Sequence, residues 1–333
     1  MRRSLTTGFC LTAVVLATAT VLAIGTIKEV TLADGRDEVT TVSAPVVDGA
    51  STAVTIGAIT GTFDRDAKIV RRGATGFMTR GPEYNLDKSL DLAKAFATAL
   101  REEAAAMGFA TAAPDAWQVG GTITDLYLES KQIPYGATLF YGYMRVDLTV
   151  AKGSGAPTTV PMRLHVYNGG YNAGMGRKDE AEAALAHLLV EGAQDALARL
   201  NRLHFKAPAP ASVAALLDQV KKPGDKGLEP ALHRLSLSGA PGAAPLILDL
   251  IPKEPDENRR SALIEALGRL GTTDAVPVLT KRYATEDEDC RWYTLKALDY
   301  IGGTEAEAHV KGAGVGDKDG GPRRLAEKIA GKK

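Results

Sequence analysis

Cysteine is nearly absent: Cys10 and Cys290 are the two in 333 residues. Cys10 lies in an N-terminal apolar stretch, so an exported and processed chain keeps Cys290 alone. One thiol makes neither an internal disulfide nor a cysteine-based zinc site. The mature fold must therefore rest on burial, and a chain of about 300 residues supplies core enough for that. Net charge is absent as well, with 40 Lys plus Arg against 40 Asp plus Glu. That balance lacks the basic surface that nucleic acid requires. Histidine is sparse. His165, His187, His204, His233 and His309 are scattered, and none has a partner at metal-ligand spacing. His187 and Glu191, four apart, read as an ordinary helix surface pair. At 45% hydrophobic and 24% charged, the chain is too apolar for disorder and too charged for a polytopic membrane protein.

One long apolar run is present, from Phe9 to Ile24 behind Arg2 and Arg3. This is the pattern of a signal peptide, with Ala23-Ile24-Gly25 an acceptable cleavage site, or of an uncleaved anchor. Residues 1–25 are read so. Phe9 occupies the position where a lipobox needs a small residue, which argues against acylation at Cys10. Residues 26–50, with little periodicity, read as a tether.

Residues 51–205 read as one α+β domain. Val54–Phe63 alternates as a strand. Asp87–Met107 is an amphipathic helix with Leu90, Ala93, Ala97, Leu100 and Ala104 on one face, Asn85 or Asp87 as cap and Gly108 as stop. Strands follow at Gln118–Ser130, Thr138–Lys152 and Thr158–Tyr167, separated by turn signals. A second helix, Asp179–Leu203, carries Leu185, Leu188, Leu189, Ala193, Ala196, Leu197 and Leu200 on its apolar face. Short turns imply an antiparallel meander with helices on one face. Alternation puts Tyr141 and Tyr143 on the face opposite Phe140 and Met144. One face packs on the helices; the other is left for plain packing or for a partner. Residues 206–212, KAPAPAS, read as a linker.

Residues 213–331 repeat. LSLSG, LGRLG and LDYIG end at Gly239, Gly271 and Gly302, spaced 32 and 31 residues apart. Pro245 and Pro277 keep the same period, as do Arg260, Arg291 and Arg323, preceded by Asp256, Asp289 and Asp319. Each period holds two short helices, such as Ala275–Tyr283 and Asp289–Tyr300. Stacked pairs of this kind bury a continuous core that one pair cannot. The glycines suit left-handed helix ends and the aspartates suit helix starts.

The stretches RRSALIEALGRLGTTDAVPVLTKRY and DEDCRWYTLKALDYIGG resemble bacterial short-period HEAT-like repeats, also found in phycobilisome-lyase-type proteins. The resemblance implies a scaffold with a concave binding surface, and partner binding rather than a reaction. The first unit departs from the pattern at LSLSG. The last is Gly-rich, GAGVGDKDGGP, and is expected to be a frayed or capping unit. LAKAFATALREEAAAMGF before VGGTITDL resembles YajG-type bacterial envelope lipoproteins over residues 51–205.

Candidate chemistry is thin. Gly169, Gly170, Gly174 and Gly176 follow a strand but match no phosphate-loop spacing. Asp317-Lys318-Asp319-Gly320 resembles part of a calcium loop but lacks the downstream Glu. Asp179, Glu180 and Glu182 sit where acids stabilise a helix start. Cys290 beside Arg291 reads as an inert thiol. No catalytic, cofactor or metal residue is assigned. Arg260, Arg291, Arg323, Gly239, Gly271 and Gly302 are structural repeat positions, the arginines bracing adjacent turns. The expectation is a non-catalytic, cofactor-free scaffold that binds proteins of the cell envelope and no nucleic acid. It is exported, and either periplasmic or anchored facing the periplasm. The alternative is a lipid- or glycan-binding module with an apolar pocket between the sheet and Asp87–Met107.

Overall fold

The computed structural model describes residues 25–27, 30–33, 42–49, 52–62, 70–72, 84–87, 89–111, 113–132, 138–170, 178–222 and 228–331. The chain forms an α+β domain followed by a helical solenoid. The sheet has strands β1 (Gly25–Ile27), β2 (Val54–Gly61), β3 (Val70–Arg72), β4 (Tyr84–Leu86), β5 (Trp117–Gln132), β6 (Thr138–Lys152) and β7 (Thr158–Gly170). The expected meander is β5-β6-β7, antiparallel throughout. Beyond it, β2 pairs in parallel with the first half of β5, and β3 with the second half. A parallel neighbour needs a crossover, and helix α1 (Leu92–Met107) supplies it between β2 and β5.

Helix α1 starts later than its sequence pattern suggested. Asp91 is the cap, accepting from the Lys94 amide at 2.9 Å. Asp87 instead folds a turn onto the Ser89 amide at 2.8 Å, and Asn85 lies in β4. Helix α2 (Lys178–Leu200) ends in a π turn over Asn201–Phe205. Both helices pack on one sheet face. Phe96, Leu100 and Met107 of α1 fill that layer with Met144, Leu148 and Leu188, all fully buried. The space for an expected ligand pocket between sheet and α1 is therefore occupied by side chains.

The tether reading needs correction. Ile27 is fully buried, and β1 runs parallel to β4. The Val46 and Val47 amides donate to the Met107 carbonyl, and Asp48 N–H donates to the Pro208 carbonyl at 2.7 Å. These segments complete the core because their valines and isoleucine have apolar area to hide. The 206–212 connection is fastened too, since the Asn201 amide bonds Ala207 through both its N–H and its C=O. Residues 1–24 lie outside the described residues. Among the described residues no helix is long and apolar enough to cross a membrane.

The solenoid has four helix pairs: α3 (Val213–Val220) with α4 (Leu228–Ser238), α5 (Ala243–Leu250) with α6 (Glu257–Leu270), α7 (Ala275–Tyr283) with α8 (Glu288–Ile301), and α9 (Thr304–Gly316) with α10 (Gly320–Ile329). The second helices α4, α6, α8 and α10 stack as an inner layer. Gly239, Gly271 and Gly302 all take positive φ at the ends of α4, α6 and α8. Asp256 caps α6, whereas Asp287 rather than Asp289 caps α8. The Gly-rich last pair is helical through Gly316 rather than frayed.

Candidate functional site

The inner layer of the solenoid is not an empty concavity. It holds the α+β domain, gripping α2 and the sheet face opposite to α1. Strand alternation delivers Tyr141 and Tyr143 on β6, and Arg163, His165 and Tyr167 on β7, to that face. There Trp292 of α8 packs against Tyr167 and Tyr141, with ring centroids 5.4 and 6.2 Å away. His165 is fully buried between Tyr143 and Tyr300. Its Nε2 bonds Asp299 at 2.9 Å, and Arg163 pairs with the other oxygen of Asp299. Arg324 of α10 closes the end of the seam on Glu129 of β5 at 2.8 Å. The tyrosine face thus packs against the chain's own repeats.

Helix α2 presents a second, polar stripe. His187, Glu191, Asp195 and Arg199 follow at steps of four, so they share one side of the helix. Arg269 of α6 meets Asp195 at 2.6 Å, Glu191 at 2.8 Å and Glu265 at 3.1 Å. Lys296 of α8 reaches Glu191 and Glu265, each at 2.6 Å. The Tyr300 hydroxyl donates to Asp195 at 2.7 Å. The expected His187–Glu191 pair forms at 2.9 Å, but in this buried layer rather than on a surface. Burial alone would raise the Glu191 pKa; Lys296 and the His187 hydrogen bond outweigh it and hold the carboxyl well below its usual range. Burial likewise opposes charge on Lys296, yet Glu191, Glu265 and Asp195 keep it protonated. Titratable groups do converge here, but they neutralise one another inside an interface. They form a lock between domains.

His233 of α4 borders the same network. A guanidinium can only donate, so the Arg269 contact at 3.2 Å fixes His233 Nδ1 as an acceptor and the ring as neutral. Burial, reinforced by Arg269, lowers its pKa to about 3 from an ordinary 6.5. A depressed pKa means stability is full above the unfolded value and is lost as pH falls towards the folded one. Between pH 7.5 and pH 5 this one group removes about 2 kcal/mol. Urea unfolding of wild type and of His233→Asn at both pH values checks this: the variant loses less stability on acidification by that difference.

The repeat positions have clear places. Arg260 binds Glu286 at 2.7 Å and the Glu254 and Pro255 carbonyls. One period on, Arg291 binds Asp317 at 3.0 Å, the Glu286 carbonyl and Asp319. Each arginine therefore ties its own helix to the turn of the following pair. Arg323 keeps the phase but is exposed in α10, and its neighbour Arg324 makes the sheet contact. Asp317 and Asp319 serve Arg291, with the Tyr283 hydroxyl donating to Asp317 at 2.5 Å, so the calcium-loop fragment is a bracing turn. Gly169 and Gly170 end β7; Gly174 and Gly176 lie outside the described residues. Asp179 and Glu180 stand in the first turn of α2.

Glu286, Asp287 and Cys290 bring potential ligand atoms within 4.8 Å of one another. Glu286 is held by Arg260 and Arg282, and Asp287 caps α8. Burial pushes the Cys290 thiol up to about 12, so it is protonated at neutral pH. The group forms the start of α8.

Residues 213–299 match the family model for HEAT repeats. The match begins with α3 and runs into α8, covering the three pairs whose inner helices carry His233, Arg269 and Lys296. No curated protein matches the chain. HEAT repeats are typically surfaces for protein interaction, and solenoids of this kind use their concave side. Here much of that side is occupied. Among the described residues, a groove of about 320 Å³ stays open at its α4–α6 end, where Tyr167, Glu229, Asn258, Ala262, Asp289 and Tyr293 form much of the wall.

Proposed function

We propose that the protein is a non-catalytic, protein-binding scaffold whose HEAT array clasps its own α+β domain and receives a partner segment in the remaining groove. The observation that carries this is the groove itself. Among the described residues it is an uncovered stretch of the inner face, and it combines apolar floor at Leu232 and Ala266 with acidic walls at Glu229 and Asp289. Tyrosines at its edges suit a protein partner. We further propose export to the bacterial envelope, either free in the periplasm or anchored by the N-terminal segment. Arg2, Arg3 and the Phe9–Ile24 run support this, as does the likeness of residues 51–205 to YajG-type lipoproteins.

Affinity capture from envelope extracts tests the reading with the full chain. Truncation after Lys206 is unsuitable, because it would expose Tyr141, Tyr167, Glu191 and Asp195. The wild type should retain a specific protein. Ala262→Arg with Glu229→Lys, which fills the groove and reverses its charge, should lose it by about tenfold or more. Equal retention by the variant would place the partner surface elsewhere.

A further inference from the structure

The repeat builds a row across the inner layer. Glu229, Asn258 and Asp289 each stand second in their helix, α4, α6 and α8. Equivalent positions in stacked repeats lie side by side, so the three side chains share one level of the inner face. All three are exposed, and all three line the groove of about 320 Å³. That volume lies within the range of ligand sites. Adjacent packed helices lie about 8–10 Å apart. The row therefore spans about 16–20 Å, the length of about five or six residues of extended chain. Four residues on, His233, Ala262 and Tyr293 form the next row of the same groove.

His233 supplies an observation independent of the acids. Its residue is 7% exposed, and its Nδ1 accepts from Arg269. The proton of the neutral ring is therefore on Nε2, at the edge turned away from Arg269. That nitrogen is buried with no hydrogen-bond partner among the described residues. A buried donor without an acceptor costs free energy, and a carbonyl brought into the groove would relieve it. A peptide backbone offers such carbonyls, and the Asn258 amide can both donate to and accept from the same backbone.

Charge selects the kind of peptide. Arg269, a cation in the lining, is already matched by Asp195, Glu191 and Glu265. Glu229 and Asp289 place exposed carboxylates at the two ends of the upper row. Beside Asp289, which accepts from the Tyr167 hydroxyl at 2.9 Å, the Tyr167 and Tyr293 rings lie 5.7 Å apart. Aromatic faces next to carboxylates favour a cation.

Resting on the reading of this groove as the partner site, we propose that its occupant is an extended, basic peptide segment of the partner protein. A lysine or arginine of the segment pairs with Glu229, and a neighbouring backbone carbonyl accepts from His233 Nε2–H. The chain then runs past Asn258 towards Asp289 and Tyr293.

Arrays of nine-residue peptides with one position fixed, probed with the full-length protein, test this. Peptides fixed as Lys or Arg should be retained in preference to those fixed as Glu or Ala. Glu229→Gln should cut that preference about threefold to fivefold, the upper reach of an exposed ion pair. Glu305→Gln removes an exposed first-turn acid from the outer helix α9 and should leave it unchanged. In the nitrogen-15-labelled full chain, the His233 Nε2–H resonance, assigned by its loss in His233→Asn, should shift when the best-retained basic nonamer is added. Retention that is indifferent to charge or favours acidic peptides, and is abolished by Ala262→Arg, would keep the groove as the partner site and overturn the basic segment. A His233 resonance unmoved by a bound basic peptide would overturn it too. Retention equal in wild type and Ala262→Arg would overturn the groove reading and the proposal together. If no peptide is retained the proposal falls, while capture from envelope extracts decides the groove reading separately.

Discussion

Replacing Arg269 with Met should lower the unfolding free energy by about 3–5 kcal/mol, the range for breaking a buried ion network from one side. The side chain is 4% exposed and touches three carboxylates on two domains. Met fills a similar volume, so the loss is electrostatic rather than a cavity effect. Without Arg269, Lys296 alone faces Glu191, Asp195 and Glu265. Adding Asp195→Asn removes one of the stranded charges. The double variant should therefore recover part of the loss, a coupling that urea unfolding of the four-member cycle measures. Because the network spans both domains, the wild type should unfold in one transition, and Arg269→Met should bring the α+β and helical phases apart. A loss under 1 kcal/mol, with no coupling, would show that the layer is not the lock described here.

Gly268→Val should be nearly as damaging, at about 3 kcal/mol or more, the upper end of the cost of overpacking. The two inner helices α6 and α8 approach closely at this residue. A Cβ at position 268 would lie 2.7 Å from the Ala297 Cα and 2.9 Å from its Cβ. The obstacle is backbone, which no rotamer change relieves, so α8 must move. Trp292, Lys296 and Tyr300 lie on α8, and all three anchor the α+β domain. The substitution should therefore disturb docking as well as the array. Gly271, three residues on, is crowded for a different reason. Its φ is +63°, and the Arg202 guanidinium lies over its Cα where a side chain would stand. Thermal melts compare the two: Gly268→Val should give the larger fall in Tm than Gly271→Ala, whose neighbour is the movable end of a side chain.

Much of the architecture is legible in the sequence. The 31- and 32-residue spacing of Gly239, Gly271 and Gly302 marks true helix ends, because left-handed backbone favours glycine at each. Strand alternation correctly separates Tyr141 and Tyr143 from Phe140 and Met144. What covers the tyrosine face is not legible. Periodicity reports which residues share a side of an element, not what lies against it. The stripe His187, Glu191, Asp195, Arg199 has the composition of a solvent face, so its burial under α6 and α8 is invisible from α2 alone. A signal does exist on the other partner. Trp292, Lys296 and Tyr300 recur at steps of four on α8, a mixed stripe that no stacking requirement of the repeat explains. The prolines of residues 206–212 read as a linker, yet the Pro208 carbonyl accepts from the Asp48 amide, 160 positions earlier. Such long-range closure leaves no local pattern.

The central claim is that the inner face of the array holds the chain's own α+β domain, and Trp292 reports on it directly. The chain has two tryptophans, so Trp117→Phe leaves Trp292 as the sole emitter. Its ring lies against Tyr141 and Tyr167 of the sheet and is 1% exposed. In the native full-length chain its fluorescence should be blue-shifted and resistant to acrylamide, and Arg269→Met should make it accessible before the helices themselves melt. Red-shifted, freely quenched emission from the native chain would mean that the inner face is open, and would contradict the account.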